Sequence, residues 1–320
     1  VTETLFKSGS GPRRAIVTGG DAAYYPLIYE LLTSIRRFRG REALDIVVLD
    51  CGLQPDQIVS LRRAFAAEVR TAQWHYALPP GRTRGRDHLK ALIARPFLPD
   101  YAPRADLIAW VDADAWVQDF AALDMMFEAA GRGHLAIVSQ NSRYSARTIS
   151  LRWLGFGLAE VRSILYKNAR KAGVRERDAR IMADRGTLNC GVFALARTAP
   201  HWEAWRKRQA QVIKKARLFS SDQFTLGMTI YVDGLPVTLM PETCNYTPPL
   251  WRCSDDGCEL VEYYPPYNRL GVVHLAGLEE MRRDLNVVTD IECVSGGTIR
   301  KSLRQPAWQI PAKKSTISSR

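Results

Sequence analysis

Along the first 120 residues, apolar positions gather in short continuous runs separated by stretches with helical spacing. Arg14 to Thr18 (RAIVT) is such a run, closed by Gly19 and Gly20, and an amphipathic stretch from Tyr24 to Phe38 follows it. Asp45 to Asp50 (DIVVLD) reads as a second buried strand, Pro55 to about Ala66 as a helix, and residues 68–74 (EVRTAQW) as a third strand. A helix over Asp87 to Ala94 leads to a fourth strand, Asp106 to Val111 (DLIAWV), and residues 191–197 (GVFALAR) form a further buried strand. Strands and helices joined by short links require right-handed crossovers. The expected class is therefore α/β, a mostly parallel, mixed sheet flanked by helices. Residues 13–295 are expected as one domain, preceded by an extension at 1–12 and followed by a basic, flexible tail at 296–320. A helical excursion at 141–188 carries LAEVRSILYKNARKAGVRERDARI, whose apolar residues recur at roughly helical spacing.

Ligands of such sheets collect at the carboxyl ends of the strands. Two candidates sit there: Thr18-Gly19-Gly20-Asp21 after the first strand and Asp112-Ala113-Asp114 after the fourth. Neither is a dinucleotide glycine fingerprint, and the chain has no P-loop. A nucleotide would need its phosphates neutralised by another device, and a divalent cation held by carboxylates is one. Asp112 and Asp114 interrupt WVDADAWV, an otherwise apolar run. In an extended segment, side chains at i and i+2 point the same way, so the two carboxylates converge and a shared Mn2+ or Mg2+ relieves their repulsion. Left unpaired at the end of a buried strand, they would cost several kcal/mol.

The chain resembles the nucleotide-sugar glycosyltransferases of the GT-A fold, most closely the family-eight retaining galactosyl- and glucosyltransferases. The resemblance lies in an ordered set of blocks: AIVTGGDAAYYPLIYELLTSI, DLIAWVDADAWV, LNCGVFAL, SDQFTLG, MPETCNYTP and VVHLAG. It implies that Thr18 and Gly19 line the nucleotide loop, that Asp21 bonds the uracil edge and that Tyr24 stacks on the base. Asp112, Asp114 and His274 would hold the metal, with Asp112, Ala113 and Gly277 among the donor-binding residues. Asn189 and Cys190 would lie along the donor sugar, and Asp222 and Gln223 at its hydroxyls and reacting carbon. Asp222 also follows Ser220-Ser221, a good local helix cap. Three departures stand out. The family's arginine ahead of the metal motif has Arg86, Lys90 and Arg95 as candidates here, with Lys90 preferred. Its lysine after the histidine motif is Glu280, which leaves Arg282 or Arg283 to contact the diphosphate. Its first-loop asparagine is Ala23.

The activity implied is metal-dependent transfer of a hexose from a UDP-sugar to a glycan or lipid-linked acceptor, with retention. The departing diphosphate gathers negative charge, which a cation and a basic side chain stabilise. Gln223 is a weak nucleophile, which favours same-face attack, while Asp222 as a base would serve inversion. A lapsed nucleotide-sugar- or glycan-binding module and a sugar nucleotidyltransferase are the alternatives, the second lacking its glycine-rich loop.

A formal charge of +12 over 320 residues fits acidic partners. Nucleic acid is not expected, because charge alone points to it without a helix-turn-helix, zinc or aromatic ribonucleoprotein motif. The tail, with Trp308 read as exposed among lysines and arginines, fits contact with an anionic membrane surface. Six scattered cysteines fit a reducing compartment, and Cys244, Cys253 and Cys258 make a poor zinc signature. With neither a signal peptide core nor an apolar span, the expectation is a cytoplasmic protein, peripheral at most.

Overall fold

The computed structural model describes residues 11–38, 44–140, 149–247 and 249–308, so most of the N-terminal extension and residues 309–320 of the tail lie outside it. The chain begins β1 (Arg14–Gly20), α1 (Tyr25–Arg36), β2 (Asp45–Asp50), α2 (Pro55–Phe65) and β3 (Glu68–Thr71). Three short helices follow, α3 (Pro80–Thr83), α4 (Lys90–Ala94) and α5 (Leu98–Tyr101), then β4 (Leu107–Val111), β5 (Ala115–Val117), α6 (Ala121–Gly131) and β6 (Leu135–Ser139). Next come β7 (Ile149–Gly155), β8 (Leu158–Ser163), α7 (Ile164–Lys171), α8 (Glu176–Met182), β9 (Leu188–Ala196), α9 (His201–Val212), α10 (Ser221–Tyr231) and β10 (Val237–Leu239). The C-terminal part holds β11 (Arg252–Cys253), β12 (Leu260–Val261), β13 (Val272–His274), α11 (Glu279–Arg283), β14 (Thr289–Cys293) and β15 (Thr298–Lys301).

Seven strands form the main sheet in the order β10-β6-β9-β4-β1-β2-β3. All neighbours are parallel except β9, which runs antiparallel to both β4 and β6. That reversal brings the amino end of β9 to the carboxyl edge of β4. Strand alternation divides the core. Ile16, Val48 and Ala109 face Ile28, Leu31, Leu61, Met126 and Phe127 of α1, α2 and α6. Val17, Leu49 and Trp110 face Ala94, Leu98, Trp202, Trp205 and Leu226 of the opposite helical layer. In α1 the buried Leu27, Ile28, Leu31, Leu32 and Ile35 recur at helical spacing. Each such side chain contributes about 1.5–3 kcal/mol when fully buried.

The glycine pair that ends β1 serves packing. A Cβ at Gly19 would lie 2.7 Å from the Leu49 Cβ on β2, and one at Gly20 would lie 2.8 Å from the Tyr24 Cβ. A side chain at either place would push apart β1 and β2, or β1 and α1.

Two expectations change. The excursion is not helical throughout: residues 158–163 are strand β8, paired antiparallel with β7. Among the described residues of the excursion, helix starts at Ile164, where the Ser163 hydroxyl accepts the Tyr166 N–H at 3.2 Å and supplies the N-cap. The domain also continues past 295. β15 pairs with β14 in a four-stranded sheet, β12-β11-β14-β15, and Trp308 is buried, with its indole N–H donating to Ser302 O at 2.7 Å. Arg304 is buried against Glu30 of α1, so this part of the tail is tied to the first helix. Among the described residues no helix is long and apolar enough to cross a membrane.

Candidate active site

The carboxyl ends of β1 and β4, the amino end of β9, the first turn of α10 and the loop after β13 surround a cleft of about 490 Å³, within the usual range for small-molecule sites. Asp112 and Asp114 converge by a route different from the one their spacing suggests. They flank a tight turn between β4 and β5, closed by the Ala115 N–H donating to Asp112 O at 3.0 Å. The turn, not strand alternation, aims both carboxylates inward. β5 pairs antiparallel with β13 so that Ala115 opposes His274, which brings the imidazole to the pair.

Each carboxylate commits one oxygen to protein and keeps one for the centre. Asp112 Oδ1 accepts the Trp110 indole N–H at 2.7 Å and a bond from Arg95, while its Oδ2 lies 3.7 Å from His274 Nε2. Asp114 Oδ2 accepts from Arg282 at 2.7 Å, and its Oδ1 lies 3.3 Å from the same nitrogen. His274 Nδ1 is 2.8 Å from Asn245 Oδ1, an acceptor that fixes the Nδ1–H tautomer and turns Nε2 toward the carboxylates. The three side chains each offer a ligand atom within 4.8 Å of the others. Gly191 completes the cradle: a Cβ there would stand 2.3 Å from His274 Cε1 and 3.0 Å from Asp112 Oδ2. It sits in a bulge of β9, where β6 pairs first with Phe193 and then with Asn189. Two hard oxygens and one oriented imidazole suit Mn2+ or Mg2+, with the nitrogen favouring manganese. The residues present therefore fit such an ion.

Electrostatics bind the cluster together. Burial alone would push the His274 imidazole down, but the Asp114 and Asp112 carboxylates reverse this and raise it above its ordinary value. Burial likewise opposes ionisation of Asp114, yet His274 and Arg282 hold it well below the usual carboxylate range. Arg95 is buried, ion-paired to both Asp112 and Asp222, with its guanidinium carbon 4.9 Å from the centre of the Trp110 ring. It joins the metal side of the cleft to the first turn of α10.

Gly19, Tyr24, Asp112, Ala113, Asp114, Asn189, Asp222, Gln223, His274, Gly277 and Arg282, all singled out from the sequence, line the cleft. Four others stand apart. Lys90 pairs with Asp87 at 3.0 Å and does not line it; Arg95, five residues on, projects from the end of α4 to the carboxylates. Cys190 points into the core beside Trp110, because the cleft-facing positions of β9 are Asn189 and Gly191. Burial raises its thiol well above the ordinary value. Thr18 is fully buried, and Asp21 Oδ1 accepts the N–H groups of Ala23 and Tyr24 at 3.1 and 3.2 Å, shaping the start of α1. The local cap at Ser220 is absent: Ser220 has φ of 66° and its side chain makes no cap bond, leaving Asp222 to Arg95. Sequence reasoning missed Gly191, Asn245 and Trp110 as parts of the site.

No family model and no curated protein matches the sequence. Solved structures do. The apo WbbM bifunctional glycosyltransferase aligns at 17% identity with a TM-score of 0.50, over 85% of this chain and 47% of its own. This chain thus spans about half of that protein. The galactosyltransferase LgtC, solved with donor and acceptor sugar analogues, aligns at 16% identity and a TM-score of 0.49, over 82% of this chain and 87% of its own. GlyE from Streptococcus pneumoniae TIGR4 aligns at 18% and 0.44, over 74% and 47%. The chain has the GT-A fold of glycosyltransferases.

Proposed function

We propose that this protein is a glycosyltransferase that moves a hexose from a UDP-sugar to a glycan or lipid-linked acceptor, with a divalent ion at Asp112, Asp114 and His274. The observation that carries the reading is the convergence of Asp112 Oδ2, Asp114 Oδ1 and His274 Nε2 on one cleft. A bound Mn2+ or Mg2+ would neutralise charge on the departing diphosphate. Arg282, whose guanidinium already reaches Asp114, lies where it can share that work in place of the absent lysine at Glu280. Its presence favours an enzyme over a lapsed binding module. Tyr24 offers a ring for the base, a contact worth about 1–3 kcal/mol, and Asp21 supports it from outside the cleft by holding the Tyr24 N–H.

Asn189 and Gln223 face the cleft from β9 and α10 and are assigned to the donor sugar. Asp222 is buried and already neutralised by Arg95, a poor arrangement for a base acting on an acceptor hydroxyl. This supports retention through same-face attack, with the leaving phosphate taking the acceptor's proton. The test is a panel of UDP-hexoses incubated with manganese and simple saccharide acceptors, scored by UDP release and by the anomeric configuration of the product. Release with a retained anomer supports the reading. A panel that stays inert while UDP binds tightly would favour a binding module.

A further inference from the structure

We propose that the β7–β8 hairpin is a membrane-docking element that seats this protein on a bilayer containing anionic phospholipid. The two strands form a sheet of their own, separate from the other sheets. An isolated two-stranded hairpin is marginal in water. Its tip nonetheless presents large apolar side chains to solvent: Trp153 is 70% exposed, Leu154 57%, Phe156 fully and Leu158 65%. The backbone is built to present them. Gly155 and Gly157 have φ of 93° and 75°, and Phe156 between them stands at 52°, a conformation rare for a bulky residue. Four large exposed apolar side chains on one hairpin tip mark an interaction surface.

Charge selects the occupant. Between residues 149 and 185 there are nine Lys or Arg against four Asp or Glu. Lys167, Arg170 and Lys171 on the helix that follows β8 are exposed, as is Arg152 at the base of the tip. Tryptophan and phenylalanine settle at the headgroup boundary, and basic residues beside them are drawn to anionic lipid. A second copy of the chain would cover the apolar tip but would carry the same +12 charge. One buried cluster, including Leu165, Ala169, Met182, Phe224 and Met228, ties α7 and α8 to α10, whose first turn lines the cleft. A docked hairpin would thus hold the cleft near the bilayer, where a lipid-linked acceptor is found. The inference stands on the hairpin, not on the transfer reaction, and its test reads vesicle binding alone.

The full chain is floated with vesicles of phosphatidylcholine alone and of phosphatidylcholine mixed with phosphatidylglycerol. The expected result is binding to the mixed vesicles, at least about tenfold stronger than to the neutral ones and weakened by salt. The exposed substitutions W153S/F156S should cut that binding about tenfold or more with an unchanged melting curve. K167E/K171E should reduce the preference for anionic lipid. Absence of binding to mixed vesicles would overturn the proposal, as would undiminished binding by W153S/F156S. Self-association that W153S/F156S abolishes, without vesicle binding, would assign the hairpin to a second copy and overturn it too.

Discussion

Gly191 and His274 stand so close that a Cβ on the glycine would lie 2.3 Å from the imidazole Cε1. The missing side chain lets the ring pack closely against β9, with Nε2 3.7 Å from Asp112 Oδ2. Gly191→Ala should displace the ring and lower Mn2+ affinity by at least about tenfold, as loss of ligand orientation does. Overpacking should cost about 1–3 kcal/mol of stability. Manganese titration followed by electron paramagnetic resonance, alongside a urea melt, separates the two effects.

Arg95 bridges Asp112 and Asp222 inside the protein. Arg95→Ala would strand Asp222, which is 1% exposed, and leave Asp112 with only the Trp110 indole and His274. Breaking a buried pair of this kind costs about 3–5 kcal/mol, readable as a fall in the urea midpoint. Removing the stranded charge with Asp222→Asn in the same chain should restore part of the loss. Arg95→Lys should recover less than full stability, because an ammonium cannot fork between two carboxylates.

Asn245 touches no metal ligand atom directly but accepts from His274 Nδ1 at 2.8 Å. Asn245→Ala should weaken metal binding about 10- to 100-fold by freeing the imidazole's tautomer and orientation. Calorimetric titration with Mn2+ checks this, and an unchanged affinity would show that the ring is held by packing alone.

His201 is fully buried at the start of α9, with Nε2 2.9 Å from Pro236 O and, among the described residues, no hydrogen-bond partner for Nδ1. Burial holds its imidazole below the ordinary value of 6.5. The unfolded chain therefore takes up this proton first as pH falls, and stability declines below about pH 6.5. His201→Gln should flatten that part of the decline. Urea melts across pH 5–8 on both proteins measure the difference, and parallel profiles would contradict it.

The sequence made the parallel half of the fold legible because each strand and helix there carries its own hydrophobic period. The direction of β9 was not legible, since an apolar run such as GVFALAR reads the same either way. The hairpin was hidden because LAEVRS is short and the helical spacing of the residues after it is strong. Trp308 looked exposed only because its partners, Ser302 and the C-terminal sheet, are set by tertiary packing. At the site, two charges inside WVDADAWV drew attention as a buried anomaly. ALIARPFL holds the same anomaly: Arg95 is a charge among apolar residues, which demands a buried anion, whereas Lys90 lies at the polar start of its helix. Asn245 lay within a recognised block, MPETCNYTP, but nothing local indicated that it faces His274, 29 residues away.

The most direct test is calorimetry of UDP, GDP and CMP binding, with and without Mn2+, to the wild-type chain and to Asp114→Ala and His274→Ala. The proposed site predicts that UDP binds best, that its affinity rises at least about tenfold with manganese, and that either substitution removes the manganese-dependent gain. UDP binding that ignores manganese, or survives intact in Asp114→Ala, would contradict a metal-bridged diphosphate at this cleft.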